Sequence, residues 1–143
     1  MKLKQISIFL ENRAGRLADV TALLGDNNVN IRALALADTS DFGILRLLVD
    51  KPDEAYKVLR ENEFAATETE VIAVEIPDRP GGLASVLAPL QEVGINVEYM
   101  YAFLEKATDK AIVVFRFEDV NKVVEILQAN GINVLESEEV YNL

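Results

Sequence analysis

The sequence predicts an α+β protein built from two tandem ferredoxin-like βαββαβ units, each with an antiparallel sheet and its helices on one face. Three observations predict it. A seven-residue phrase occurs twice, as "ENRAGRL" at residues 11–17 and "PDRPGGL" at residues 77–83. Identities elsewhere keep a nearly constant offset from one half to the other. In each half, the apolar pattern switches between a period of two residues and a helical period in the same order.

The offset is 66 residues at first: Arg13 falls on Arg79, Gly15 on Gly81, Leu17 on Leu83, Val20 on Val86, Leu24 on Leu90 and Asn30 on Asn96. Later it is 68, which puts Ile44 on Ile112, Leu59 on Leu127 and Asn62 on Asn130. The second copy therefore carries two extra residues, near "FLEKATDK" at residues 103–110. The domains are expected at residues 1–68 and 69–143. No Pro/Gly/Ser linker separates them, and "FAATETEVIAVEIP" reads as strand passing from one copy into the next.

Each element has a local reason. "LKQISIFL" and "EVIAVEI" alternate apolar and polar residues, as half-buried strands do. The helices that follow repeat apolar residues every three or four positions: Leu17, Val20 and Leu24, then Leu83, Val86, Leu87 and Leu90. Asn28 and Gly94 tolerate the left-handed conformation and read as C-caps. "VNIRALALAD" and "INVEYMYAFLE" are second strands; "GILRLLVD" and "KAIVVFRFE" are third strands.

Pro52 suits the first turn of a second helix that buries Ala55, Val58 and Leu59. Asp119 reads as the N-cap of its counterpart, which buries Val123, Val124 and Leu127. "FAATE" and "INVLE" close the two units, leaving the second sheet face open to a partner. Pro89 lies two turns into a helix, where it removes a donor and crowds a carbonyl, so a kink is expected there.

Composition narrows the chemistry. The 143 residues carry 14 basic and 24 acidic side chains, a formal net charge of -10. Residues 1–68 hold 9 basic and 11 acidic residues (-2), and residues 69–143 hold 5 and 13 (-8). A nucleic-acid partner or an anionic membrane surface is not expected on this balance. Apolar runs fall well short of the roughly 18–20 residues that span a bilayer, and a cytoplasmic protein is expected. Histidine and cysteine are absent, which removes thiolate chemistry, His/Cys metal sites and the commonest general base. No metal, no cofactor and no catalytic activity are expected.

The repeated phrase lies between the first strand and first helix of each unit. Gly15 and Gly81 can take positive φ and let a ligand approach the backbone. The helix N-terminus beyond them has unpartnered N–H groups and an electropositive end that suits a carboxylate. Asn12 offers a donor and an acceptor, and Asp78 a carboxylate for an ammonium group. Arg13, Arg16, Arg32 and Arg79 are available to a ligand carboxylate, although arginines on such loops are mostly solvated. Asn30 and Asn96 start the second strands, at an end expected to neighbour the first loop. "TSDFGIL" at residues 39–45 is another polar turn within possible reach of a ligand. The plainer readings are a tight strand-to-helix turn for the glycines, a turn-stabilising amide for the asparagines and an ordinary hairpin tip for "TSDFGIL".

"ENRAGRL" followed by "NVNI", and "PDRPGGL" followed by "GINV", resemble the signature of the ACT domain, a small-molecule sensing module attached to many enzymes of amino-acid metabolism. The resemblance covers nearly the whole chain as two tandem domains. It implies that paired domains bind an amino acid at their interface, through the first loop and the start of the second strand. Serine-sensing members use two asparagines, and these correspond to Asn12 and Asn30 in the first copy. In the second copy the positions are Asp78 and Asn96. Gly15, Gly81, Leu17 and Leu83 match the loop glycine and the adjacent leucine. Ala14 stands where proline is usual, and Arg16 where the second copy has Gly82, so the two sites are expected to have diverged.

The function the resemblance implies is a stand-alone, noncatalytic regulatory sensor. Such a protein would bind an amino-acid effector, homodimerise, and act on an enzyme partner in trans. The alternative is an assembly module without a ligand. An acylphosphatase-like hydrolase is a distant third, because the loop lacks an extended phosphate cradle.

Overall fold

The computed structural model describes residues 1–38, 41–103 and 110–143. Thr39 and Ser40 of the expected hairpin tip, and most of the "FLEKATDK" insertion, lie outside the described residues. The elements are β1 (Leu3–Glu11), α1 (Arg16–Asp26), β2 (Ile31–Asp38), β3 (Phe42–Val49), α2 (Pro52–Glu61), β4 (Ala65–Pro77), α3 (Gly82–Glu92), β5 (Tyr99–Ala102), β6 (Lys110–Arg116), α4 (Val120–Ala129) and α5 (Ser137–Tyr141). Two compact units result: Lys4–Thr69 with Tyr141–Leu143, and Glu70–Val140 with Met1–Leu3. Both are mixed α+β units of the ferredoxin-like kind the sequence predicts.

In the first unit β3 pairs antiparallel with β1 on one side and β2 on the other. The pairings Ile6–Leu47, Ile8–Leu45 and Leu34–Leu47 place these side chains on one sheet face. That face packs on Val20 and Leu24 of α1 and on Ala55 and Leu59 of α2. Leu17 departs from the expected core: its side chain is 38% exposed at the start of α1. On the opposite face Phe9 and Phe42 are exposed, while Gln5, Ala33 and Leu48 are fully buried.

The second unit repeats the plan with β6 between β4 and β5. Ile72, Val74, Val113 and Phe115 meet Val86 and Leu90 of α3 and Val123 and Leu127 of α4. The sheet face expected to be open is closed here, because Val71, Ala73 and Val114 are fully buried as well. The continuous apolar run "VIAV" of β4 is the local cause: it suits a strand covered on both sides.

All four long helices stop in the same way. Each places a left-handed residue just past its cap: Asn28 (φ 58°), Glu63 (φ 65°), Gly94 (φ 70°) and Gly131 (φ 71°). The following residue donates back into the last turn, as Val29 does to the Leu24 carbonyl and Ile95 to that of Leu90. These are Schellman endings, as read for Asn28 and Gly94. Asp119 caps α4, its carboxylate accepting the Lys122 N–H at 3.2 Å. α3 runs through Pro89 to Glu92 as one helix. The missing proline N–H leaves the ladder partner of the Ser85 carbonyl absent, at an exposed residue that water can serve.

Two strands are shorter than the pattern predicts. β5 begins only at Tyr99, because its partner β6 ends at Arg116 and the chain then turns into the Asp119 cap. "INVLE" forms no strand but a single bridge, Val74–Val134, flanked by hydrogen bonds from Glu75 to the Asn133 carbonyl and from Leu135 to the Ala73 carbonyl. α5 follows at once. Glu139 accepts the Glu136 N–H at 3.0 Å, one arm of a capping box, and this helix start ends the pairing.

Within the first unit the Tyr141 hydroxyl accepts the Lys4 backbone N–H at 2.9 Å, and the Lys4 ammonium meets Asp53 at 2.8 Å. Partial burial pushes the Tyr141 phenol above its ordinary value of 10.0. The hydrogen bond and charge of Asp53 hold the Lys4 ammonium above 10.5. Both groups keep their protons longer in the folded chain than in the unfolded one, so stability must fall as pH rises through those ordinary values. Urea midpoints measured from about pH 8 to 11 should therefore decline, and Tyr141→Phe should flatten part of that decline. An alkaline limb that Tyr141→Phe leaves unchanged would remove the tyrosine from this account.

Candidate functional site

The doubled phrase folds twice into the same turn. Arg13 and Arg79 donate to the Glu11 and Pro77 carbonyls at 2.9 Å, and Asp19 and Ser85 donate to Gly15 and Gly81 at 2.9 and 3.0 Å. Gly15 (φ 91°) and Gly81 (φ 82°) are both left-handed N-caps without a side-chain cap. A Cβ on either would meet nothing within 4 Å, so backbone conformation and not space requires glycine. By helix geometry the N–H groups of Leu17 and Ala18, like those of Leu83 and Ala84, have no partner in their own helix.

The second loop is the tighter. Gly82 donates to the Arg79 carbonyl at 2.9 Å, whereas Arg16 sits 3.4 Å from the Arg13 carbonyl. A Cβ on Gly82 would lie 1.9 Å from the Pro77 carbonyl oxygen. The first loop leaves room for a side chain, and Arg16 uses it. Its guanidinium reaches Asp19 at 3.6 Å and lies 4.9 Å from the centre of the Phe64 ring. Arg16 is thus part of the fold's surface packing and not a freely solvated cation.

At the loop end of the first unit a pocket of about 300 Å³ opens beside α1. Glu11, Asn12 and Arg13 supply its polar lining; Leu10, Leu17, Leu36 and Gly43 supply the apolar part. Leu10 and Gly43 stand directly opposite each other in the β1–β3 ladder, and the Asn12 N–H donates to the Asp41 carbonyl at 2.9 Å. Arg13 and Glu11 hold opposite charges 3.1 Å apart at the exposed rim. Of the sequence-predicted residues, Asn12 and Leu17 meet here, with Gly15 in the turn between them.

Asn30 does not join them. Its N–H donates to the Asp50 carboxylate at 2.9 Å and its carbonyl accepts the Asp50 N–H at 3.0 Å, beyond the Ile31–Val49 end of the sheet. The Asn12 loop follows the Glu11–Phe42 end, so seven residues of β3, roughly 23 Å, separate the two. The expectation that this strand start neighbours the first loop is corrected. β1 runs to the loop end and α1 runs back, so β2 starts at the end of the sheet where β1 began.

The second unit divides its residues likewise. Asp78 and Gly81 lie in the loop, and Leu83 in the first turn of α3. Asn96 lies in a separate pocket of about 450 Å³, with Glu98, Glu118, Asp119 and Lys122. Asn30 and Asn96 are both exposed. Sequence reading missed Leu36, and took in Gly43 only as part of the polar turn "TSDFGIL". The available signal was a glycine inside the apolar strand "FGILRLLV", a position where glycine weakens pairing and marks close approach.

Among the described residues no helix is long and apolar enough to cross a membrane. A family model described as an ACT domain pair matches residues 1–143. No curated protein matches the chain. The chain is similar to a Bacteroides thetaiotaomicron protein of known crystal structure, with 43% identity, a TM-score of 0.94, and coverage of 100% of this chain and 98% of that one. It also shares its fold with the ligand-free regulatory subunit of aspartate kinase from Thermus thermophilus (15% identity, TM-score 0.62, 88% and 91% covered). The regulatory subunit from Thermus flavus is similar too (14%, 0.60, 88% and 90%). With its whole length matched and its doubled loop in place, the chain belongs to the ACT domain pair family.

Proposed function

We propose that this protein is a noncatalytic sensor that binds an amino acid at an interface of paired ACT domains and regulates an enzyme partner in amino-acid metabolism. We take residues 1–68 and 69–143 as its two fused modules. The observation that carries the reading is the pocket of about 300 Å³ in which Asn12 and Leu17 meet beside the uncapped start of α1. Opposite charges at its rim suit a zwitterion: Glu11 for an ammonium, and Arg13 with the helix N–H groups for a carboxylate. Gly15, Gly81, Leu83 and Asp78 shape the two loops, and Asp78 in place of Asn12 gives the second a different charge.

Asn30 and Asn96 enter the same scheme only from outside their own unit. If the strand-start end of one copy meets the loop end of a second, an asparagine completes a site it cannot reach in its own unit. Homodimerisation is supported by β2, which is bonded on one side only within its unit. Its "ALALA" core carries none of the lysine or proline that usually protects an edge strand.

Isothermal titration and thermal shift against the twenty amino acids test the reading. At least one should raise the melting temperature, and Asn12→Ala should weaken its binding about tenfold, the value of a hydrogen bond to a charged group. A chain indifferent to every amino acid would instead be an assembly module.

A further inference from the structure

We infer, resting on the sensor reading above, that the ligand of the first unit's pocket is an α-amino acid with a large aliphatic side chain, of the leucine, isoleucine or valine class. The pocket sets its polar and apolar groups apart. Leu10, Leu17, Leu36 and Gly43 line it with carbon, and Asn12 with the Arg13–Glu11 pair supplies the polar contacts. Leu17 and Leu36 stay 38% and 52% exposed, so apolar surface there remains to be covered. A small polar side chain placed against these leucines would lose water without gaining a partner, which costs binding.

Gly43 is the sharper observation. Its φ is not among the positive ones, so backbone conformation does not demand glycine. A Cβ there would meet no backbone closer than 3.7 Å and only the flexible Leu36 side chain, at 3.2 Å. What the missing Cβ provides is room next to Leu36. The second unit supplies the comparison. Ile76–Ala111 is the pair equivalent to Leu10–Gly43, and Ala102–Val113 the pair equivalent to Leu36–Leu45. There the glycine and the leucine are both replaced by alanine. The first unit alone combines an open sheet floor with a long apolar wall.

The test is titration of the full chain with L-leucine, L-alanine and L-serine, in wild type, Gly43→Ala and Leu36→Ala. At about fourfold per buried methylene, leucine should bind at least about tenfold more tightly than alanine or serine. Each substitution should lower leucine affinity several-fold, and by a larger factor than it lowers alanine affinity. Leu36 is exposed, so Leu36→Ala decides the matter if Gly43→Ala fails to fold. Alanine or serine binding as tightly as leucine, or leucine binding untouched by both substitutions, overturns this inference and leaves the sensor reading standing. Absence of binding by any amino acid overturns both.

Discussion

Gly82→Ala is expected to destabilise the protein by about 3 kcal/mol, the upper end for overpacking, because the obstacle is main chain. The new methyl group would sit 1.9 Å from the Pro77 carbonyl oxygen and 3.0 Å from its carbon. Neither atom can rotate away as a side chain would. The same carbonyl accepts the Arg79 N–H at 2.9 Å, so moving it also disturbs the turn that starts α3. The comparison is Arg16→Gly at the equivalent place in the first loop. There the loss is limited to the Asp19 ion pair and the contact with Phe64, about 1 kcal/mol together with the glycine entropy. Urea unfolding of both variants checks this. Equal midpoints for the two would show that the second loop relaxes freely and that its tightness does not matter.

Phe115→Ala should cost about 3–5 kcal/mol, the range for emptying a buried aromatic site. Phe115 is 1% exposed, and its ring stacks on Phe117 with centroids 5.6 Å apart and planes 20° from parallel. Both rings lie in the core of β4, β6, α3 and α4, and no other member of that core cluster is as large. Leu47 is the first unit's counterpart, fully buried and paired with Ile6. Leu47→Ala should cost less, about 2–4 kcal/mol, because a smaller volume is removed. Calorimetry or urea denaturation orders the two, and a Phe115 variant no weaker than the Leu47 variant would show that the Phe117 ring fills the space.

Much of the fold was readable in advance because its determinants are local. Asn28 and Gly94 declared the helix ends, Asp119 a cap and Pro52 a first turn, each through an interaction spanning a few residues. The misreadings share another cause. "INVLE" has strand composition, yet α5 claims the next residues. Ile95–Val97 look like strand, yet β6 has no residue left to pair with them. Leu17 has helical spacing, yet its side chain in the first turn of α1 is exposed and lines a pocket with Leu36 and Gly43 from two other strands. Each depends on what lies across the sheet, and periodicity carries no record of that.

The sequence by itself determined the doubled α+β architecture, the two turns with their left-handed glycines, and the family, because repeat spacing and backbone conformation are written residue by residue. The tertiary structure alone decided which residues share a site. Only the strand register sets Gly43 opposite Leu10 and beside Leu36, and only the βαβ path carries Asn30 to the far end of the sheet from Asn12. Proximity across strands depends on register and crossover direction, and these are settled by packing of the whole unit, not by any short stretch of chain.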